Sequence, residues 1–248
     1  MVYKLANTLV IVEGGRAEVA LMNRLQDIYG LGNKFEITSY GTHIYALYNS
    51  MFKDKELHSL DIQVHLRQME RAKKDSDKDK IALLSRHYAE VFLIFDLDPQ
   101  DSQYSPGKIR EMLTFFNEST DQGKLYINYP MVESFYHMKS IPDKDYNSYS
   151  VYMDELRPKN KYKQRVNKEC RDGDPGKFAA SKHECSIVIK QNIDKARFIT
   201  GQADESSIPG AADILEAQLQ KISSEHSIAV LCTCIFYIAE YNPILIEQ

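Results

Sequence analysis

The sequence repeatedly alternates a short, continuously apolar run, a turn, and then apolar residues at helical spacing, which restricts the folds open to it. "LVIV" (9–12) leads into "RAEVALMNRLQDIYG", where Val19, Leu21, Met22, Leu25 and Ile28 recur at helical intervals and Gly30 stands at a C-cap position. "KFEITSYG" predicts a second strand closed by Gly41, followed by a short helix in "THIYALYNSMF". "EVFLIFDLDPQDS" supplies the next strand, Val91 to Phe95, and Pro106 suits the first turn of a helix reaching about Glu118. "GKLYINYP" gives a further strand, and "MVESFYHM" begins another helix. Strands that are apolar throughout are buried on both faces, as in a parallel sheet covered by helices. The expected fold class is α/β, a Rossmann-like parallel sheet flanked by helices.

The alternation ends near residue 140. A catalytic domain is expected over 1–140, with a charged helical insertion over 53–88 centred on "RQMERAKKDSDKDK", a helical hairpin or a mobile insertion rather than core, and a mainly helical C-terminal region over 141–248. In that region "RPKNKYKQRVNKECR" precedes helical patterns in "GKFAASKHECSIVIKQNIDKARFI" and "GAADILEAQLQKISSEHSIAVLCTCIFYIAEY". No stretch approaches the roughly 18 consecutive apolar residues of a membrane span, and the N-terminus has no signal-peptide pattern, so a cytoplasmic protein is expected. The 4 cysteines in 248 residues do not form a disulfide framework. Cys232 and Cys234 form a C-x-C in an apolar run and read as buried thiols; the alternative, a zinc site, would need two further well-placed ligands. A net charge of -4 excludes a general polyanion binder, so contact with nucleic acid requires a local basic patch.

Chemistry concentrates where the strands end. In an open parallel sheet functional groups gather beyond the carboxyl ends of the strands, and Glu13, Asp96 and Asp98 each follow such an end. Carboxylates brought together repel one another unless a cation joins them. Mg²⁺ suits oxygen ligands of this kind, keeping several waters and binding substrate phosphate. The expectation is a magnesium-dependent phosphoryl-transfer centre. Strand alternation would point Asp96 and Asp98 the same way. Asp101, in "DPQDS", reads as a turn former, with an extension of the metal cluster as the alternative. The stretch Arg157–Arg171, with Lys159, Lys161, Lys163 and Arg165 interleaved with Tyr162, would track a phosphate backbone and stack a base; a solvated basic helix is the alternative.

"VIVEGGRAE" followed by "VFLIFDLD" resembles the TOPRIM domain, shared by topoisomerases, primases and OLD-type nucleases, which carries a Glu in a glycine turn after its first strand and a later D-x-D. "EGGRAE" is similar to the E-G-x-x-T-E of RloB-like TOPRIM proteins, with Ala17 in place of Thr. "NYPMVESFYHM" is similar to that group's N-P-x-x-E-x-W segment, with Tyr129 before Pro130 and Phe135 in the aromatic position. The AriB effectors of PARIS anti-phage systems are neighbours of this group. The resemblance covers residues 8 to 140. It implies a metal-dependent nuclease acting in bacterial defence against phage, using Mg²⁺ or Mn²⁺ and up to two ions. Glu13 would be an acid, a base or a metal ligand; Asp96 and Asp98 would hold metal; Glu18 and Glu133 would serve a second ion. Glu18 and Glu133 also fit the role of helix N-terminal acids.

"LIFDLD" also resembles the opening motif of haloacid-dehalogenase-type phosphatases, but Pro99-Gln100 replaces the Gly-Thr that continues it. Topoisomerases and primases need further domains, which leaves simple hydrolysis. A non-catalytic or trigger-dependent subunit of a defence complex is the alternative from another class. There is no G-x-x-x-x-G-K-[ST] loop, so any ATP dependence would come from a separate ATPase or phage-sensing partner. Association with further copies of the chain, and DNA against RNA as substrate, stay open.

Overall fold

The continuous apolar runs pair as expected. In a computed structural model, which describes residues 8–32, 34–53, 61–157 and 160–247, Thr8–Val12 forms β1, buried along its whole length. It pairs in parallel with β2 (Phe35–Ser39) on one side and β3 (Glu90–Asp96) on the other, in register from Thr8↔Glu90 to Val12↔Ile94. The sheet is completed by β4 (Asn117–Glu118) and β5 (Gly123–Asn128), in the order β2-β1-β3-β5-β4, with β4 antiparallel to β5. The protein is thus α/β with a mostly parallel sheet flanked by helices. The chain first moves from β1 outward to β2, then returns to place β3 on the opposite side of β1, so the strand order reverses at β1.

Close contacts divide the chain into two compact units. The first runs up to Phe95 and takes in Gly107–Leu125; the second holds Asp96–Pro106 and the chain from Tyr126 onward. Residue 140, the boundary expected from composition, lies inside the second unit.

In the first unit, α1 (Ala17–Tyr29) buries Leu21, Met22 and Leu25 and stops at Gly30, whose left-handed backbone (φ 66°) closes the end. The Gly30 N–H reaches Asp27 O and the Leu31 N–H reaches Gln26 O, satisfying carbonyls the last turn would leave open. After α2 (Ile44–Met51), the charged stretch resolves into α3 (Ile62–Ala72) and α4 (Lys78–Leu83). Asp61 and Asp77 cap these two helices, each accepting two backbone N–H groups. Buried Glu70 accepts from Lys73 at 2.8 Å, so even this polar segment has an anchored interior. α5 (Pro106–Phe115) starts on its proline.

The second unit holds α6 (Asn160–Glu169), α7 (Lys182–Thr200), α8 (Ala211–Glu225), α9 (Phe236–Tyr241) and α10 (Ile244–Glu247). It also holds strands that the helical reading of 211–241 did not include. α8 ends at Glu225 because His226 takes a left-handed backbone (φ 54°), and Ser227–Ala229 then pairs as β7, antiparallel to β6 (Ser150–Tyr152). The "MVESFYHM" segment forms a five-residue 3₁₀ turn, Val132–Tyr136. Fully buried Lys195 donates to the carbonyls of Tyr146 and Tyr149, both at 2.7 Å, and lies over the Tyr146 ring. Among the described residues no helix is long and apolar enough to cross a membrane.

Candidate functional site

The end of β1 belongs to the first unit. The Glu13 N–H donates to Ile94 O at 2.9 Å and its carbonyl accepts from Gly41 N at 3.0 Å, so neighbouring strands on both sides fix the backbone here. Its side chain is half-buried. Glu18, in the first turn of α1, is 8% exposed. A Cβ on Gly14 would stand 2.7 Å from Glu18 Oε2 and 2.9 Å from Oε1, so the first glycine of "EGG" leaves room for a carboxylate, while Gly15 faces open space. Gly14→Ala is therefore expected to push Glu18 aside and cost about 1 kcal/mol in urea unfolding, with Glu18→Ala relieving most of that cost in the double variant. Additive effects of the two changes would show that the overlap carries no energy.

The end of β3 belongs to the second unit. Half-buried Asp96 is the last residue of the strand, and its Oδ1 accepts from Asn128 Nδ2 at 3.3 Å. The Leu97 N–H donates to Asn128 O at 3.1 Å. Asp98, 8% exposed, has a left-handed backbone (φ 41°). Strand alternation therefore does not reach it: β3 stops at Asp96, and the pleat cannot aim both side chains. Asp98 O accepts from Asp101 N, and Asp101 Oδ1 accepts from Gln103 N at 2.7 Å, making Asp101 the turn former it was expected to be. Arg157 donates to Gln100 O and so ties this loop down.

Glu133 lies in the 3₁₀ turn, with Oε1 2.6 Å from Lys163 Nζ. An acid expected to hold metal and a lysine expected to hold phosphate thus neutralise each other. Arg165 is likewise engaged, through Nη1 with Glu155 and through Nε with Glu169, each at 3.1 Å. Lys161 is exposed, and Lys159 lies outside the described residues. Tyr162 corrects the expected base-stacking role: it is fully buried, with its hydroxyl 3.2 Å from His137 Nδ1. Burial, and after it the charge of Glu133, push this phenol well above its ordinary range, with a smaller contribution from Asp96. Burial also lowers the imidazole of His137 below its usual value, opposed by the hydrogen bond between Nε2 and Glu169. A buried, neutral-leaning histidine between tyrosine and glutamate is a packing element.

One group at the end of β5 escaped the reading of the sequence. Asn128 is fully buried; while its amide nitrogen holds Asp96, its Oδ1 accepts from Cys234 N at 3.2 Å and lies 3.6 Å from Cys232 Sγ. Thr233 Oγ1 donates to Ile127 O at 2.7 Å, so the whole Cys-Thr-Cys turn is fastened to the strand end. Both cysteines are buried, with sulfurs 3.3 Å apart, and burial pushes the Cys234 thiol well above its ordinary range. The available signal was that "LYIN" closes an apolar strand on a polar side chain, just as "LIFD" does.

Among the described residues no three or more His, Cys, Asp or Glu side chains are grouped so as to hold a metal ion. The donors at the strand ends are carboxylates, and a hard cation can be held by one or two of these, with water and substrate phosphate completing an octahedron. Carboxylates are the oxygen donors that Mg²⁺ and Mn²⁺ take, but Glu13, Glu18, Asp96, Asp98 and Glu133, all among the described residues, are not brought together as one such group. The chain matches no family model, no curated protein and no solved structure.

Proposed function

We propose that this protein is a divalent-metal-dependent nuclease that hydrolyses phosphodiester bonds in DNA or RNA, tRNA included, and that it acts as an effector of anti-phage defence. The observation that carries the reading is Asp96: a half-buried carboxylate at the carboxyl end of a parallel strand, oriented by a buried amide. Metal-binding carboxylates are themselves held by hydrogen bonds of this kind. The reversal of strand order at β1 adds support, because ligands of open α/β sheets bind outside the carboxyl ends of strands at such a point. The resemblance of "VIVEGGRAE" and "VFLIFDLD" to TOPRIM sequences supplies the reaction class and the defence role.

In this reading Asp96 and Asp98 are the residues that would hold an ion, and the resemblance to TOPRIM sequences gives Glu13 the role of acid or base near the scissile phosphate. The bound ion would polarise the phosphate and generate the nucleophile. Glu18 and Glu133 are the candidates for a second ion; at Glu133 that requires the pair with Lys163 to open. Lys161, exposed on α6, would contact the phosphate backbone, and Lys159, Lys163 and Arg165 complete the proposed basic stretch. A separate ATPase or phage sensor would supply any trigger.

The test incubates wild type and Glu13→Ala with plasmid, single-stranded DNA and total tRNA, with Mg²⁺, Mn²⁺ or EDTA. Wild type is expected to cleave at least one substrate only with metal, and Glu13→Ala to leave all three intact. Equal inactivity of both proteins on every substrate would favour a non-catalytic or trigger-dependent subunit.

A further inference from the structure

We infer that Asn128 is a positioning residue for the metal-binding carboxylate Asp96, set in place by the Cys232-Thr233-Cys234 turn; this rests on the nuclease reading above. Asn128 holds the end of β3 twice, by its backbone carbonyl on Leu97 N–H and by its amide nitrogen on Asp96 Oδ1. Its own orientation is not free to change. An amide flip would put the nitrogen, a donor, against the Cys234 N–H and the oxygen against the Asp96 carboxylate, replacing attraction with repulsion at both ends. The Cys234 N–H thereby assigns which end of the amide faces Asp96. Because Asn128 is fully buried, water cannot substitute for either partner.

This geometry gives the C-x-C turn a use that neither a zinc site nor a disulfide would. Thr233 fastens the turn to Ile127, the two flanking cysteines face the oxygen of Asn128, and the nitrogen faces Asp96. The effect is to fix one carboxylate oxygen of Asp96, Oδ1, against the amide nitrogen of Asn128. Mg²⁺ demands near-ideal octahedral geometry, whereas Ca²⁺ accepts loose arrangements, so a positioning role predicts a loss that depends on the ion.

The test follows Mn²⁺ binding by electron paramagnetic resonance, with Mg²⁺ and Ca²⁺ as competitors, in wild type, Asn128→Ala, Asn128→Ser and Asp96→Ala. Asp96→Ala is expected to bind no Mn²⁺. Both Asn128 variants are expected to bind on the order of 10–100-fold more weakly, with Mg²⁺ affinity falling further than Ca²⁺ affinity. Asn128→Ser leaves a small polar group in the pocket should Asn128→Ala fail to fold. Wild-type affinity in a folded Asn128 variant, or an equal loss for Mg²⁺ and Ca²⁺, would overturn the positioning role while Asp96→Ala still upholds the metal. Failure of wild type to bind Mn²⁺, or undiminished binding by Asp96→Ala, would overturn the metal reading and the positioning role with it.

Discussion

Asp96→Ala is expected to lower metal-dependent cleavage by at least about 10²-fold, the scale on which removing one stabiliser of transition-state charge acts, while the protein stays folded. The change strips a carboxylate from the end of β3 and leaves Asn128 Nδ2 without that acceptor in a buried setting. The unpaired donor costs about 1–3 kcal/mol, which a domain stable by about 5–15 kcal/mol survives. Asp96→Asn separates the two effects. It keeps an oxygen for Asn128 and removes the charge, so it should be as inactive as Asp96→Ala and more stable. Cleavage rates at a Mn²⁺ concentration that saturates wild type, read beside thermal melts of all three proteins, check this. An Asp96→Asn protein with wild-type cleavage would show that the charge has no part in the chemistry.

The largest expected effect on stability lies at Phe135. This side chain is fully buried, edge-on to Tyr136 at 5.0 Å and to Phe178 at 5.6 Å between ring centres. It couples the 3₁₀ turn that carries Glu133 to the segment leading into α7. Phe135→Ala removes a whole aromatic ring from a packed interior, for a cost of roughly 3–5 kcal/mol. In a chain of this length that corresponds to a fall of about 6–20 °C in Tm. Differential scanning calorimetry measures it directly. A loss below about 1 kcal/mol would mean that the neighbouring rings close over the space, and that this aromatic position is not a core position.

The first half of the chain was legible because its signals are local. "LVIV" and "VFLIF" are buried throughout, as parallel strands must be, and Gly30 ends α1 by a backbone conformation that favours glycine. The charged run 62–83 was legible as a helical hairpin or a mobile insertion; that it forms two helices capped by Asp61 and Asp77 follows from hydrogen bonds no periodicity displays. In the second half, "SIAV" after α8 continues an apolar pattern that helix and strand share, and the break at His226 is a left-handed residue without a glycine to mark it.

At the candidate site, residue identity was legible and partnership was not. Lys163 and Glu133 both carried functional expectations, and composition cannot show that they pair with each other. Tyr162 was read from its basic neighbours as a stacking residue, although Tyr162, Val166 and Cys170 recur every four residues and form the buried side of this segment. Asn128 gave one weak sign, a polar residue closing an apolar strand, because its partners Asp96 and Cys234 are 32 and 106 residues away.

The nuclease proposed here needs the carboxylate at the end of β3 to work with a divalent ion on a phosphodiester. This requirement is tested most directly by incubating wild type and Asp96→Asn with total tRNA, single-stranded DNA and plasmid across a Mn²⁺ titration. Cleavage by wild type is expected to rise with Mn²⁺, to disappear in EDTA and to be lost in Asp96→Asn. Cleavage that persists in EDTA, or that Asp96→Asn carries out as fast as wild type, would contradict it.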